Sequence, residues 1–338
     1  MSNLRSLFAS PDLYPLRIDF GRQRISFARI SQELYLRIVW LSAENALRRS
    51  KEVYDIRLDD ALLAGASPCR TATQVHYILH TAYCCSTLLA RYFELVSSCF
   101  VLKEPEILAQ VAIAFSEPSV RWCEAFDLCL RLLSRTYDPR RVVVIKTHVP
   151  TNVLGMQLLE RNQNSTITFL MTPLREFLLA VLKSDDRKIR VREWIRYATG
   201  ARSHPALPGI DPNGLTDVQA AAYWWLLNRM LCRQLCSSPA GNRVTVIDGA
   251  ELAESPERVL KSLVSACGLL VDMNELKTVV DHPTVRKYSK DLSKSYDAKL
   301  RRQELADIES RWRRELEHGI AWAGSFGLDS NMNSWRAE

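Results

Sequence analysis

The sequence predicts an α/β fold in which a parallel β-sheet is flanked by helices. From Gln74 onward, short apolar runs alternate with longer segments whose apolar residues recur at helical spacing. The run from Val142 to Ile145 holds four consecutive apolar β-formers, as in strands that are buried on both faces. Because a crossover helix returns the chain to the same end of the sheet, alternating strands and helices predict parallel pairing.

We expect three parts along the chain. Residues 1–72 are predicted to form an N-terminal helical extension, with a helix over 31–51 because its apolar residues recur at helical spacing. Residues 73–280 are predicted to form the α/β core. The charged segment 281–338 is predicted to form a C-terminal helical extension.

The core elements follow one another in a regular order. Strands are predicted over 75–79, 100–102, 142–145, 166–171 and 244–247. Helices are predicted over 86–96, 106–115, 119–133, 151–160, 175–183, 217–235 and 256–266. The segment 199–212 holds three prolines and two glycines and is predicted to be a loop.

The composition is that of an ordinary globular enzyme. The 338-residue chain is 47% hydrophobic and 25% charged, with a formal net charge of +7. This modest excess fits a small anionic ligand, and the sequence matches no nucleic-acid-binding module. The longest apolar run, Ala220–Leu227, is shorter than the ~20 residues of a membrane span. Charged residues interrupt the N-terminal segment where a signal peptide is apolar, so we expect a cytoplasmic protein that binds neither nucleic acid nor membranes.

The cysteines predict free thiols and no metal site. The chain has 9 cysteines, and none of them forms a Cys-x-x-Cys pair or lies at zinc-ligand spacing from a histidine. An odd number of cysteines scattered through apolar segments is typical of a reducing compartment. We therefore expect that no metal takes part in the chemistry.

Ionisable side chains follow the predicted strand 142–145 directly. Lys146 and His148 come at its carboxyl end, which is the edge of a parallel sheet where ligands usually bind. A neutral imidazole, with a reference pKa near 6.5, accepts a proton at about neutral pH. A neighbouring ammonium stabilises charge that develops on a transferred anionic group. The pair predicts a transfer reaction in which His148 is the general base.

The loop after the first core strand is the second candidate site. It reads Thr81, Ala82, Tyr83, Cys84, Cys85, Ser86, Thr87. In α/β folds this turn often binds phosphate, because the helix N-terminus presents unpaired N–H groups and the positive end of its dipole. The hydroxyls of Ser86 and Thr87 lie where they can cap the helix and contact a phosphate oxygen. The loop lacks the glycines and the Gly-Lys-Ser/Thr ending of a Walker A motif, which disfavours an ATPase or an ordinary kinase.

The string Lys-Thr-His-x-Pro at 146–150 resembles the sulfotransferase family, in which its histidine is the general base. The resemblance implies a P-loop NTPase-like fold and 3′-phosphoadenosine 5′-phosphosulfate (PAPS) as co-substrate. Loop 81–87 resembles the family's phosphosulfate loop, Tyr-Pro-Lys-Ser-Gly-Thr-Thr-Trp, with Tyr83 at the lysine position and Cys85 at the glycine position. The family lysine stabilises the bridging oxygen between phosphate and sulfate. We expect Lys103, at the end of the second core strand, to supply the missing cation.

The segment 169–180 resembles the family's Arg-Asp-Pro-Arg-Asp-x-x-x-Ser unit, which binds the 3′-phosphate of the nucleotide. Thr172 and Ala180 stand at the positions of the family's first arginine and its serine, and Arg175 keeps a basic residue. Basic residues follow over 187–192, and they either compensate for the lost groups or form a solvated face. The resemblance also implies that the C-terminal segment folds over the nucleotide, with Lys290 as a phosphate ligand.

Three functions remain open from the sequence. The first is a sulfotransferase that moves a sulfonate group from PAPS to a hydroxyl or amine of a small-molecule acceptor, using Lys103, Lys146 and His148. The second is a binding or scaffold protein that keeps the fold without the catalysis. A kinase of small molecules is the third, and it is disfavoured by loop 81–87. The acceptor and the oligomeric state are not encoded in any motif that we recognise.

Overall fold

The structure is a computed structural model that describes residues 7–50, 52–66, 71–115, 119–199, 207–287 and 298–327. Its centre is a five-stranded parallel sheet with the strand order β5-β6-β4-β7-β8. The strands are β4 (Val75–His80), β5 (Cys99–Lys103), β6 (Val142–Lys146), β7 (Thr166–Met171) and β8 (Val244–Asp248). All five match strands expected from the sequence, so the predicted α/β fold with a parallel sheet is confirmed.

The N-terminal extension is not purely helical, contrary to the sequence-based expectation. It contains a three-stranded antiparallel sheet made of β1 (Leu13–Asp19), β2 (Arg24–Arg29) and β3 (Val53–Arg57). It also contains the short helices α1 (Gln32–Arg37), α2 (Ala43–Leu47) and α3 (Leu58–Gly65).

The helix expected over 31–51 is interrupted between α1 and α2. In this interruption the backbone N–H of Leu41 donates to the carbonyl of Lys103 at the end of β5. The side chain of Ser42 then caps α2 by accepting from the N–H of Asn45 at 3.3 Å. The apolar residues at helical spacing are buried by this irregular contact with the core rather than by a continuous helix.

Helices flank the parallel sheet and connect its strands. From β4 to β7 they are α4 (Ser86–Leu95), α5 (Glu106–Ile113), α6 (Val120–Leu133) and α7 (Gly155–Arg161), the last preceded by a 3₁₀ turn over Val149–Leu154. After β7 they are α8 (Leu174–Leu182), α9 (Asp185–Thr199), α10 (Asp217–Cys236), α11 (Gly249–Glu254), α12 (Pro256–Ala266), α13 (Met273–Asp281), α14 (Ala298–Arg311) and α15 (Arg313–Gly324). The helices α9, α11 and α13 were not expected from the sequence. None of the helices within the described ranges combines the length and the hydrophobicity that a membrane span requires.

The buried residues form two clusters. The larger one includes the N-terminal sheet together with α5, α6, α8 and α10. The smaller one lies around α4, α12 and α13. Alternate residues of the central strands belong to different clusters, such as Val143 to the larger and Val144 to the smaller. The sheet is therefore covered on both faces, and its carboxyl edge is left to form a site.

Candidate active site

A cavity of about 1090 Å³ lies where β4, β5 and β6 end. Its wall includes His80 from β4, Glu104 after β5, and Lys146 and His148 from the end of β6. Helices α9 and α14 complete it with a mixture of basic, acidic and apolar side chains. The edge that the sequence predicted for ligand binding thus carries a cavity large enough for a nucleotide-sized ligand.

Loop 81–87 borders this cavity in a conformation that is unusual for its residues. Ala82, Tyr83 and Cys85 have φ angles of 73°, 54° and 64°, in the left-handed region. Each such non-glycine residue costs on the order of 1–3 kcal/mol. Backbone N–H groups in left-handed turns form concavities that bind anions. The six residues from Ala82 to Thr87 line the cavity, whereas Thr81 is completely buried beneath it.

The loop rests closely on the first residue of α11. A Cβ atom added at Gly249 would come within 2.2 Å of the carbonyl oxygen of Cys84. Only glycine allows this approach of the two backbones. The helix N-terminus at Ser86 and the contact at Gly249 together fix the position of the loop.

His80 joins the loop to the end of β6. Its Nδ1 accepts from the N–H of Ala82 at 3.1 Å, so its proton is on Nε2, which donates to the carbonyl of Thr147 at 3.0 Å. Burial, followed by the charge of Lys146, lowers the pKa of His80 well below its usual range, so the ring is neutral. His80 was not among the site residues expected from the sequence. The signal was available, because a histidine ends the strand directly before the loop.

Buried polar groups of α10 and of the 3₁₀ turn at 149–154 bond to the backbone at the start of the loop. The indole Nε1 of Trp224 donates to the carbonyl of Thr81 at 3.1 Å. The side chain of Asn152 donates to the carbonyl of His80 at 2.8 Å and to Asn228 Oδ1 at 2.6 Å. Trp224 is itself buried in the core. Its hydrogen bond gives it a positioning role as well.

Lys146 is paired with Glu104, the residue that follows the neighbouring strand. Its side chain is almost inaccessible to solvent, and the Glu104 backbone N–H also donates to the Lys146 carbonyl at 2.6 Å. Glu104 has a left-handed backbone, with φ 54°. Burial by itself raises the pKa of Glu104, but Lys146, His148 and His80 lower it to about 2. The carboxylate is therefore charged near neutral pH and balances the charge of Lys146.

His148 lines the cavity beside this pair. Its Nδ1 atom is buried and has no hydrogen-bond partner among the residues that the structure describes. Burial lowers the pKa of His148 from 6.5, Glu104 raises it and Lys146 lowers it, with a net lowering. The imidazole is neutral at about pH 7 and has a nitrogen available for a proton, as a general base requires.

Two expected ligand residues, Lys103 and Arg175, are not brought into this cavity. Lys103 is buried and pairs with Glu94 of α4, and it is not part of the cavity wall. The expectation that Lys103 supplies the loop's cation is therefore not met by this arrangement. Arg175 is half-exposed, pairs with Glu309 of α14 and also lies outside the wall. Lys290 lies outside the described residues.

The basic residues of α9 divide into two groups. Lys188 lies over the ring of Trp312 at 4.6 Å, and Arg192 pairs with Asp217 at 2.8 Å, both away from the cavity. Arg187 and Arg190 line the cavity. Two of the four basic residues thus face the cavity, and the other two contact neighbouring helices.

Arg187 is placed directly against the loop. Its guanidinium carbon lies 4.7 Å from the centre of the Tyr83 ring, and Nη1 donates to the carbonyl of Ala180 at 2.6 Å. Tyr83 in turn packs against Trp194 and Phe177, with ring centres 5.8 Å and 6.1 Å away. Arg187 therefore approaches the two positions, Tyr83 and Ala180, at which the resemblance implies a lysine and a serine.

Several solved structures similar to this chain are sulfotransferases, although no family model and no curated protein matches its sequence. The sulfotransferase domain from the curacin biosynthetic pathway is 13% identical, with a TM-score of 0.39, and the match covers 76% of this chain and 98% of that one. A sulfotransferase from Mycobacterium tuberculosis is 10% identical, with a TM-score of 0.44 and coverages of 70% and 77%. A mouse sulfotransferase complexed with PAP is 10% identical, with a TM-score of 0.31 and coverages of 74% and 88%.

Proposed function

We propose that this chain is a sulfotransferase that moves a sulfonate group from PAPS to a hydroxyl or amine of a small-molecule acceptor. The observation that supports the proposal most is the shared cavity. Residues 82–87 of the loop, with left-handed residues directly before α4, line the same cavity as the neutral His148. An anion-binding loop and a general base in one cavity are the two parts that sulfonate transfer requires.

The reaction follows from these positions. The backbone N–H groups of the loop and the N-terminus of α4 bind the phosphosulfate end of the donor. His148 takes the proton from the acceptor O–H or N–H, and the acceptor atom forms a bond to sulfur. The bond between sulfur and the bridging oxygen breaks, and its electron pair leaves with adenosine 3′,5′-bisphosphate (PAP). The products are the sulfated acceptor, PAP and a proton on His148, which is released to solvent.

The residues around His148 position these parts rather than react. His80 connects the loop to the strand end that carries His148, through Ala82 and Thr147. The pair of Lys146 and Glu104 is neutral overall. Lys146 therefore acts on transferred charge only at short range, as one end of a fixed dipole.

A second function, nucleotide binding without transfer, is favoured by one observation. Loop 81–87 has no basic side chain, and the charge of Lys146 is balanced by Glu104. A protein of this kind binds PAP and releases none from PAPS in the presence of acceptors. A sulfotransferase binds PAP and also releases it from PAPS when an acceptor is present.

The experiment is a calorimetric titration with PAP, followed by a turnover assay with PAPS and a panel of phenols, alcohols and amines. Wild type binds PAP and forms it from PAPS with at least one acceptor class. His148→Gln binds PAP as tightly as wild type but loses roughly 100-fold or more of the turnover. Binding without turnover by wild type supports the second function. Absence of PAP binding to the folded protein rules out both.

A further inference from the structure

We infer that Arg187, held over the ring of Tyr83, binds the anionic 5′-phosphosulfate end of the donor and so supplies the cation that loop 81–87 lacks. The inference rests on the proposed function, because it names a binding residue of that same site. The positive charge that the donor's sulfonate and phosphate oxygens require then comes from α9. This helix belongs neither to the loop nor to the sheet.

The loop by itself provides hydrogen bonds but no full positive charge. Its seven residues include no lysine and no arginine. The N-terminus of a helix contributes only about half an elementary charge, and the donor's phosphosulfate end carries more. A cation from another element must therefore approach the loop if the donor is to be bound tightly.

Two other cations of the cavity wall are paired with carboxylates, whereas Arg190 and Lys287, which also line the wall, form no ion pair with a described residue. Lys146 is paired with Glu104, and Lys183 with Glu304 of α14 at 2.6 Å. Among the described residues, Arg187 forms no ion pair with a carboxylate. Its charge is therefore available to an anion.

The geometry of Arg187 suits this role. Its contact with Tyr83, at 4.7 Å, is with a residue of the loop itself, and its bond to Ala180 uses only one of the guanidinium's donors. Stacking on an aromatic ring fixes the plane of the guanidinium, and the planar fork matches two oxygens of a phosphate or sulfonate group. The aromatic neighbours of Tyr83 keep this platform in place. The side chain is thus ordered before the ligand binds.

The test is calorimetric titration of the full chain with PAP, which retains the 5′-phosphate, for wild type, Arg187→Gln and Arg196→Gln. Arg196 lies on the same helix, is exposed and is not part of the cavity wall, so its replacement removes the same charge without touching the site. We expect Arg187→Gln to bind PAP roughly 10- to 100-fold more weakly, as for the loss of charge-assisted hydrogen bonds. Arg196→Gln should bind like wild type.

A second ligand locates the contact. Adenosine 3′-monophosphate lacks the 5′ group, so wild type and Arg187→Gln should bind it equally. Equal PAP affinity of Arg187→Gln and wild type overturns the inference and leaves the proposed function intact. An equal loss in Arg196→Gln, or a loss with the 3′-monophosphate of the same size, also overturns it. Failure of wild type to bind PAP removes the proposed function itself.

A measurement on wild type avoids dependence on the folding of the variant. Phenylglyoxal modifies accessible arginines, and mass spectrometry reports the rate at each one. Saturating PAP should slow the modification of Arg187 and leave that of Arg196 unchanged. An unchanged rate at Arg187 contradicts the inference.

Discussion

Lys146 and Glu104 form a buried ion pair at the point where the neighbouring strands β5 and β6 end. The two residues are 42 positions apart in sequence and are joined both by their side chains and by the hydrogen bond from the Glu104 N–H to the Lys146 carbonyl. The pair lies in the cavity wall beside His148. Because the pair is neutral overall, it attracts a negatively charged ligand less strongly than an unpaired lysine would. Because it is buried, removal of one partner leaves an unpaired charge inside the protein.

Removal of one partner of this pair should cost more stability than removal of both. Lys146→Met leaves the Glu104 carboxylate buried without its counter-ion, which typically costs about 3–5 kcal/mol. The double variant Lys146→Met/Glu104→Gln carries neither charge and should regain most of that loss. Urea denaturation of wild type, the two single variants and the double variant gives the coupling energy. If the losses of unfolding free energy in the two single variants sum to the loss in the double variant, the ion pair is contradicted.

The same pair predicts a loss of stability in acid. The pKa of Glu104 is lowered from 4.5 in the unfolded chain to about 2 in the folded protein. A lowered carboxyl pKa contributes stability that is present above about pH 4.5 and is lost as the pH falls towards 2. The stability advantage of wild type over Glu104→Gln should therefore shrink through this window. Denaturation of both proteins as a function of pH measures it, and a constant difference would count against the pairing.

His148 should titrate below the usual range for histidine. Its surroundings include Glu104 and Glu106, which raise its pKa, and Lys146 and Arg190, which lower it, while burial is the largest cause and lowers it. In Glu104→Gln one raising charge is absent, so the pKa of His148 should fall further. NMR titration of the His148 ring, assigned with His148→Gln, measures both values. A higher pKa in Glu104→Gln would show that the carboxylate does not act on the imidazole.

The lowered pKa of His148 also has a consequence for stability. A histidine whose folded pKa is lower than its unfolded value binds fewer protons when folded. The contribution of His148 to the free energy of unfolding is therefore lost as the pH falls below about 6.5. His148→Gln should remove this part of the pH dependence, which denaturation between about pH 7 and pH 5 would detect.

His80 and His76 provide a matched pair of buried histidines on β4. His80 bonds to the loop and to Thr147, whereas His76 bonds to Thr166 at 2.8 Å, within the sheet. We expect His80→Gln to lower the unfolding free energy by about 1–3 kcal/mol and to weaken PAP binding, because the loop loses its anchor. His76→Gln should lower stability without a separate effect on PAP affinity. Equal effects of both on affinity would mean that His80 has no special role.

Cys85 should be replaceable by glycine with a gain in stability. Its φ of 64° favours glycine, so Cys85→Gly relieves backbone strain that Cys85→Ala retains. We expect Cys85→Gly to be about 1 kcal/mol more stable than Cys85→Ala. Thermal or urea denaturation of the two variants makes the comparison. Greater stability of Cys85→Ala would mean that the left-handed conformation is wrong.

The central sheet and the two candidate segments were predictable from sequence because their signals are local. The apolar run before Lys146 and the turn at Thr81–Thr87 each depend on neighbouring residues. By contrast, β1 was not predicted because Pro15 interrupts its apolar stretch. In addition, the charges of Arg17 and Asp19 give the stretch the polarity that is typical of a surface segment. Helix α9 was missed because so many of its residues are charged, which hides the apolar positions that pack on the core.

The arrangement within the site was not predictable for a different reason. The pairing of Lys146 with Glu104 depends on the strand order, which places β5 beside β6 with Lys103 opposite Lys146. Sequence spacing contains no information on this register. The contact of Arg187 with Tyr83 likewise requires α9 to pack beside the loop. Both relationships arise from tertiary packing between segments that are distant in sequence.

The most direct test of the account is a calorimetric titration of the wild-type chain and His148→Gln with PAP, followed by turnover with PAPS and the acceptor panel. We predict that both proteins bind PAP with similar affinity and that only wild type releases PAP from PAPS at a substantial rate. A folded wild-type protein that shows no binding at saturating PAP would contradict the nucleotide site. Equal turnover by His148→Gln would contradict the role of His148 as the base.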